Sequence, residues 1–264
     1  MASNVPVTLS PEKRIIVAAD FYRGPVQTYH AQWMNDQVVG LARNLSNTGA
    51  CLRLGMALRC CGYSIIPKIK AYGLNVCVDI GGCDVPEVLE TEAMIIRDWG
   101  ADMVMVSLPG MTRSSIDVLR KALPKEGGTE LIGVVAPTMA GVGCYEILGS
   151  QTSVACHRLS TLAQEAGFDG VVCSGLEAQI AKRAFGDSNM TVTAAGVRPK
   201  WRPVKADNGH DALKCLSPTE AIKLGADRLL IGRPITLDVN PSIPPDPKMA
   251  FLMIIQEIRE ATAH

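Results

Sequence analysis

Val76-Cys77-Val78-Asp79-Ile80-Gly81-Gly82-Cys83-Asp84-Val85-Pro86-Glu87 is the stretch on which the reading of the whole chain turns. Its first half, taken back to Leu74, is a short apolar run rich in β-branched residues, the composition of a parallel strand buried on both faces. Such a strand delivers Asp79 near its carboxyl end. The glycine pair then opens a turn, Asp84 follows five residues after Asp79, and Pro86 stands where a helix can begin. Two carboxylates are therefore predicted at the carboxyl end of a strand, where α/β folds keep their chemistry.

The same pattern recurs on both sides. Arg14 to Asp20, Cys51 to Gly55, Asp102 to Ser107, Leu131 to Ala136, Phe168 to Ser174, Thr191 to Gly196 and Asp227 to Gly232 read as further strands. Helical spacing covers Gln32 to Asn44, Gly62 to Ala71, Val88 to Trp99, Ser115 to Leu123, Val154 to Ala166, Leu176 to Phe185 and Pro218 to Leu224. Gly100, Gly167 and Gly225 stop three of these helices. A Pro-rich segment, Asn240 to Pro247, leads to a last helix over about 249–261. Eight short strands alternating with helices predict the α/β class and a single (β/α)8 TIM barrel spanning 1–264, preceded by an extension over 1–13. A doubly wound open sheet shares this local grammar. The count of eight and the lack of a Gly-x-Gly-x-x-Gly fingerprint favour the barrel.

Bulk properties narrow the function. The 264 residues are 47% hydrophobic, ample for a large core. Lysine plus arginine equals aspartate plus glutamate at 26 each, and there is no polybasic run, so neither nucleic acid nor a membrane surface is an expected partner. Aromatics are only 5%, too few for a base-stacking platform. Nine cysteines, none at metal-ligand spacing, read as small buried hydrophobes in a reducing cytoplasm. No apolar window approaches membrane-spanning length, and Met1 to Lys13 has no signal-peptide core. His30, His157 and His210 are scattered and read as structural or surface residues.

The loops after strands seven and eight are where such barrels commonly hold phosphate. Here they begin Gly196-Val197-Arg198-Pro199 and Gly232-Arg233-Pro234. Each pairs a glycine that admits a ligand to the backbone with an arginine able to fork onto phosphate oxygens. The basic segment Lys200 to Lys214, with Trp201, Arg202, Lys205 and Asn208, follows strand seven and suits a phosphate-covering loop.

Phe168-Asp169-Gly170-Val171-Val172-Cys173-Ser174, Ala195-Gly196-Val197-Arg198-Pro199 and Gly225 to Thr236 resemble the orotidine 5′-phosphate decarboxylase family, with likeness running from Ile15 to Thr236. The resemblance implies a homodimeric barrel that binds a pyrimidine nucleoside 5′-monophosphate, UMP-like or OMP-like, with no metal or organic cofactor. It also implies an Asp-x-Lys-x-x-Asp signature at the end of strand three. There an ammonium stabilises the carbanion left by CO2 and donates a proton, while a carboxylate crowds the leaving group.

The chain departs from that signature. Asp79 and Asp84 match its two aspartates, but Gly81 occupies the lysine position. A second family lysine, on strand two, appears as Arg53, and arginine is a poor proton donor at ordinary pH. Asp20 matches an aspartate expected to touch ribose. Thr138 is kept, Met139 stands where a base-facing serine is common, and Ala194-Ala195 replace Thr-Pro before Gly196. The expected catalytic set is Asp79, Asp84 and Arg53; the expected substrate-binding set is Asp20, Thr138, Gly196, Arg198, Gly232 and Arg233. Without the lysine, Asp79 and Asp84 are expected to lie unpaired, disfavouring an anionic base. Loss of a general acid costs roughly 10²- to 10⁴-fold.

The expected function is a decarboxylase-like nucleotide-binding barrel with altered chemistry. The alternatives are a non-catalytic nucleotide sensor, or a sugar-phosphate lyase of the same superfamily using the strand-three aspartate with Mg²⁺. Cys83 as nucleophile, or Lys68 or Lys70 as replacement ammonium, are the weaker options.

Overall fold

The computed structural model describes residues 9–21, 31–82, 84–135, 149–186, 188–202, 215–236 and 246–262. Eight parallel strands close on themselves: β1 (Ile15–Ala18), β2 (Cys51–Leu54), β3 (Asn75–Gly81), β4 (Met103–Ser107), β5 (Glu130–Val134), β6 (Gly170–Ser174), β7 (Thr191–Ala195) and β8 (Arg228–Ile231). Closure comes from β8 pairing with β1, Leu230 beside Ile16. The predicted barrel is the observed one.

Helices link the strands: α1 (Ala31–Asn44), α2 (Met56–Cys61), α3 (Ile65–Lys70), α4 (Pro86–Asp98), α5 (Arg113–Ala122), α6 (Thr152–Glu165), α7 (Ala178–Phe185) and α8 (Pro218–Lys223). A one-turn helix α9 (Arg233–Thr236) follows β8, and α10 (Pro247–Thr262) ends the described chain. The helix read over Gly62 to Ala71 is α3, and α2 ahead of it was not foreseen. Met-Ala-Leu-Arg starts α2 directly after β2, and Gly62, at φ 73°, stops it with its N–H on the Leu58 carbonyl.

Strand alternation divides the core in two. Val17, Leu52, Leu54, Val76, Val78, Val104, Leu131, Val171, Val192 and Leu229 point outward and pack under the helices. Ile16, Cys51, Cys77, Met103, Met105, Ile132 and Val172 point inward and fill the barrel. Burial pushes the Cys51 and Cys77 thiols up, so they behave as inert filling. The seven cysteines described are all unbridged.

The base of the barrel carries a repeated device. Gly100-Ala101-Asp102, Gly167-Phe168-Asp169 and Gly225-Ala226-Asp227 each precede an even-numbered strand, and each glycine has positive φ. Each aspartate accepts the amide of the second residue of the preceding odd strand: Val76 N to Asp102 Oδ2 at 2.8 Å, Leu131 N to Asp169 Oδ2 at 2.8 Å, Val192 N to Asp227 Oδ2 at 2.7 Å. Each also meets a cation from the helix before that odd strand: Lys70 at 2.7 Å, Arg120 at 2.9 Å and Lys182 at 2.6 Å. Arg228 adds a two-pronged pair to Glu130, at 2.6 and 2.7 Å. The opposite rim is thereby left free for ligand chemistry.

Among the described residues, no helix is long and apolar enough to cross a membrane.

Candidate functional site

Arg53 reaches the barrel mouth by parity. It shares a face with Cys51, which points inward, and the register sets Arg53 beside Cys77 and Ala18 beside Arg53. Asp79, two residues beyond Cys77, faces inward above it, and Asp20 leaves β1 two residues beyond Ala18. The three meet. Arg53 Nε donates to Asp79 Oδ2 at 2.9 Å, Nη2 donates to the same oxygen, and Nη1 donates to Asp20 Oδ2 at 2.8 Å. Burial opposes the charge on Arg53, but Asp79 and Asp20 outweigh it and hold the guanidinium protonated more firmly than an ordinary arginine.

Asp79 is fixed from behind as well. After it the ladder slips by one residue, a bulge between Asp79 and Gly81, and Gly81 N donates to Asp79 Oδ1 at 3.1 Å. Gly81 has φ 78°, which a side chain adopts only with strain, and a Cβ there would meet nothing within 4 Å. The expectation that Asp79 is left unpaired is therefore corrected: Arg53 has taken it. Asp84 does not join the group. The positive φ of Gly81 and Gly82 turns the chain away, and exposed Asp84 lines a separate surface cleft with Val85, Gly110 and Thr112. Its Oδ1 accepts the Val85 amide at 2.8 Å, while Val85, not Asp84, is the N-cap of α4.

A cavity of about 310 Å³ opens over Arg53, Asp79 and Asp20. Gly196, Arg198, Gly232 and Arg233 line it from β7 and β8, and Met105, Val134, Val172, Ala195 and Leu230 form its apolar floor. Arg233 is only 9% exposed and, among the described residues, makes no ion pair. Two lining residues, Cys215 and Thr236, were not foreseen. Thr236 rides on α9, a single turn too short to show periodicity. Cys215 sits beside the bridge between Val197 and Leu216 and carried no signal of its own.

Thr138 and Met139, Cys83, His30 and His210, and the loop residues Lys205, Asn208 and Lys214 lie outside the described residues. Lys70 is committed to Asp102 at the base, and Lys68 donates to Asn35 at 3.4 Å, so neither serves the mouth. Arg202 is buried and stacks over Trp201 at 5.7 Å.

Residues 13–242 match the Orotidine 5'-phosphate decarboxylase / HUMPS family. The chain belongs to this family. Curated relatives named orotidine 5′-phosphate decarboxylase include one from Nitrosococcus oceani, 30% identical over 252 residues, covering 94% of this chain and 98% of that protein. Another, from Nitratidesulfovibrio vulgaris, is 29% identical over 214 residues, covering 78% and 88%. Among solved structures, orotidine 5′-phosphate decarboxylase from Lactobacillus acidophilus superposes with a TM-score of 0.70 at 21% identity, covering 93% of this chain and 99% of that one. An uncharacterized conserved protein from Geobacillus kaustophilus gives 0.69 at 23% identity, covering 92% and 99%. At these identities the structural matches establish the fold. The cavity lined by Arg53, Asp79, Asp20 and Arg233 lies at the carboxyl end of the strands, the end where (β/α)8 barrels keep their ligand sites.

Proposed function

We propose that the chain binds a pyrimidine or related nucleoside 5′-monophosphate at the barrel mouth, as a carboxy-lyase-family protein whose chemistry differs from orotidylate decarboxylation. The observation that carries this reading is buried Arg233, without an ion-pair partner among the described residues, across one cavity from Arg53, which is clamped by two aspartates. Such an arginine at the β8 loop suits a phosphate. Gly196 and Gly232 give the ligand access to the backbone there, Arg198 stands beside it, and Asp20 is placed to meet ribose hydroxyls. Gly81 stands in the family's lysine position, and Asp79 with Arg53 replaces the ammonium–carboxylate pair. Asp84 completes the signature in sequence and Thr138 is assigned to the base end.

Arg53, kept protonated by its partners, is suited to orienting a ligand and not to donating a proton. That one property favours a second reading, a non-catalytic nucleotide sensor. Unbridged cysteines accord with a cytoplasmic setting, and a homodimer is the assembly expected of the family.

Calorimetric titration of UMP and OMP, with CO2 release followed in the same samples, tests the proposal. Binding of UMP without rapid CO2 release is the expected result. Rapid release from OMP would overturn the altered chemistry, and binding of neither would overturn the nucleotide reading.

A further inference from the structure

Going round the mouth, β7 and β8 supply Arg198 and Arg233, and β1, β2 and β3 supply Asp20, Arg53 and Asp79. The second group is a closed cluster of two carboxylates on one guanidinium, so its formal charge is one negative. Arg53 cannot turn to greet a substrate anion without breaking its contacts to both acids. Asp79 has both oxygens engaged, Oδ2 by Arg53 and Oδ1 by the Gly81 amide. Asp20 Oδ1 accepts no hydrogen bond among the described residues, and its side chain is 36% exposed. The acid side of the cavity therefore presents spare acceptor capacity and negative charge, while buried Arg233 presents positive charge.

We infer that the site selects phosphate monoesters whose remaining part is uncharged and rich in O–H or N–H donors, and rejects those that also carry a carboxylate. This rests on the phosphate-binding reading above and sharpens it. A cavity of about 310 Å³ lies at the small end of ligand sites, so a carboxylate on the distal part of the ligand cannot move far from the cluster. Charges that close, on a partly desolvated wall, are poorly screened by salt. Hydroxyls or amines at the same place find Asp20 Oδ1 as acceptor, and the apolar floor accepts a flat ring or carbon chain. A phosphate at the β7–β8 rim and a neutral donor-bearing head over β1–β3 satisfy both sides together.

Two matched ligand pairs test this by calorimetry at pH 7.5. UMP and OMP share phosphate and ribose and differ in the carboxylate. Glycerol 3-phosphate and 3-phosphoglycerate make the same comparison without a base. The expected result is at least tenfold weaker binding of the carboxylate member of each pair that binds. In Asp20→Asn, folded by circular dichroism, that gap narrows severalfold, because the cluster is then neutral. Equal or tighter binding of the carboxylate member, or a gap unmoved in Asp20→Asn, overturns the selection rule while leaving phosphate binding intact. If only the small pair binds, the nucleotide reading falls and the rule is judged on that pair alone. If no phosphate monoester binds, both fall.

Discussion

Arg53 and Asp79 lie 26 positions apart in sequence and are joined at 2.9 Å, with Asp20 held on the other prong at 2.8 Å. Adjacent parallel strands with inward parity make this possible: the register sets Arg53 against Cys77, and Asp79 is the next inward residue.

Removing Arg53 leaves Asp20 and Asp79 facing each other without a counter-charge. Arg53→Met is expected to cost about 2 kcal/mol of stability, less than a fully buried pair because all three side chains keep some solvent. Arg53→Lys keeps the charge but not the fork, and should lose less. Urea denaturation of both variants, with Arg53→Met/Asp79→Asn recovering part of the loss, checks this.

Gly81→Lys tests the proposal that Gly81 stands in the family's lysine position. Open space surrounds the position, so the side chain fits, but φ 78° makes the backbone strained by about 1–2 kcal/mol. The variant should melt several degrees lower and release CO2 from OMP faster than the parent. A variant that folds, binds UMP and releases none would show that Gly81 is not the missing group.

The base of the barrel should respond separately from the mouth. Asp169→Ala strips the Leu131 amide and Arg120 of their shared acceptor, a loss of about 2–3 kcal/mol. UMP affinity, measured at a temperature where the variant stays folded, should be unchanged.

The N-terminus of α8 makes stability depend on acid pH. Ser217 Oγ accepts the Glu220 amide at 3.3 Å, and Glu220 Oε2 accepts from Ser217 Oγ at 2.6 Å and from its amide at 2.7 Å. Those hydrogen bonds, the Ser217 hydroxyl first, lower the Glu220 carboxyl below its ordinary value. A lowered folded value means the contribution is full above the unfolded value and disappears as pH falls through the folded one. Ser217→Ala should cost about 1 kcal/mol at pH 7 and clearly less at pH 3, by chemical denaturation.

The barrel was legible because its strands are written in β-branched runs closed by glycine stops, as at Gly100, Gly167 and Gly225. Arg53, Asp79 and Asp20 could be placed at one rim, since each ends a strand. Their mutual bonding could not, because it depends on register and parity between strands, which no single run contains. Asp84 shows the limit from the other side: five residues from Asp79 in sequence, it is sent to another cleft by two left-handed glycines. Helices α2 and α9 were missed because six and four residues are too few to show a period.

The clasp at the base has a fourth place. Ala50 immediately precedes β2 as Asp102, Asp169 and Asp227 precede β4, β6 and β8, its carbonyl accepts the Asn75 amide as that of Asp102 accepts Glu130, and a methyl stands where the other three have a carboxylate. Counted this way the molecule has approximate fourfold rotational symmetry with one member altered. The altered quarter, β1 with β2, is the one whose upper rim carries Asp20 and Arg53. Hydrogen exchange should therefore be uneven around the ring, with the amides of β1 and β2 opening first while the three clasped quarters stay protected. If the proposed ligand seats its polar head there, that quarter is also the one that binding has most room to quiet.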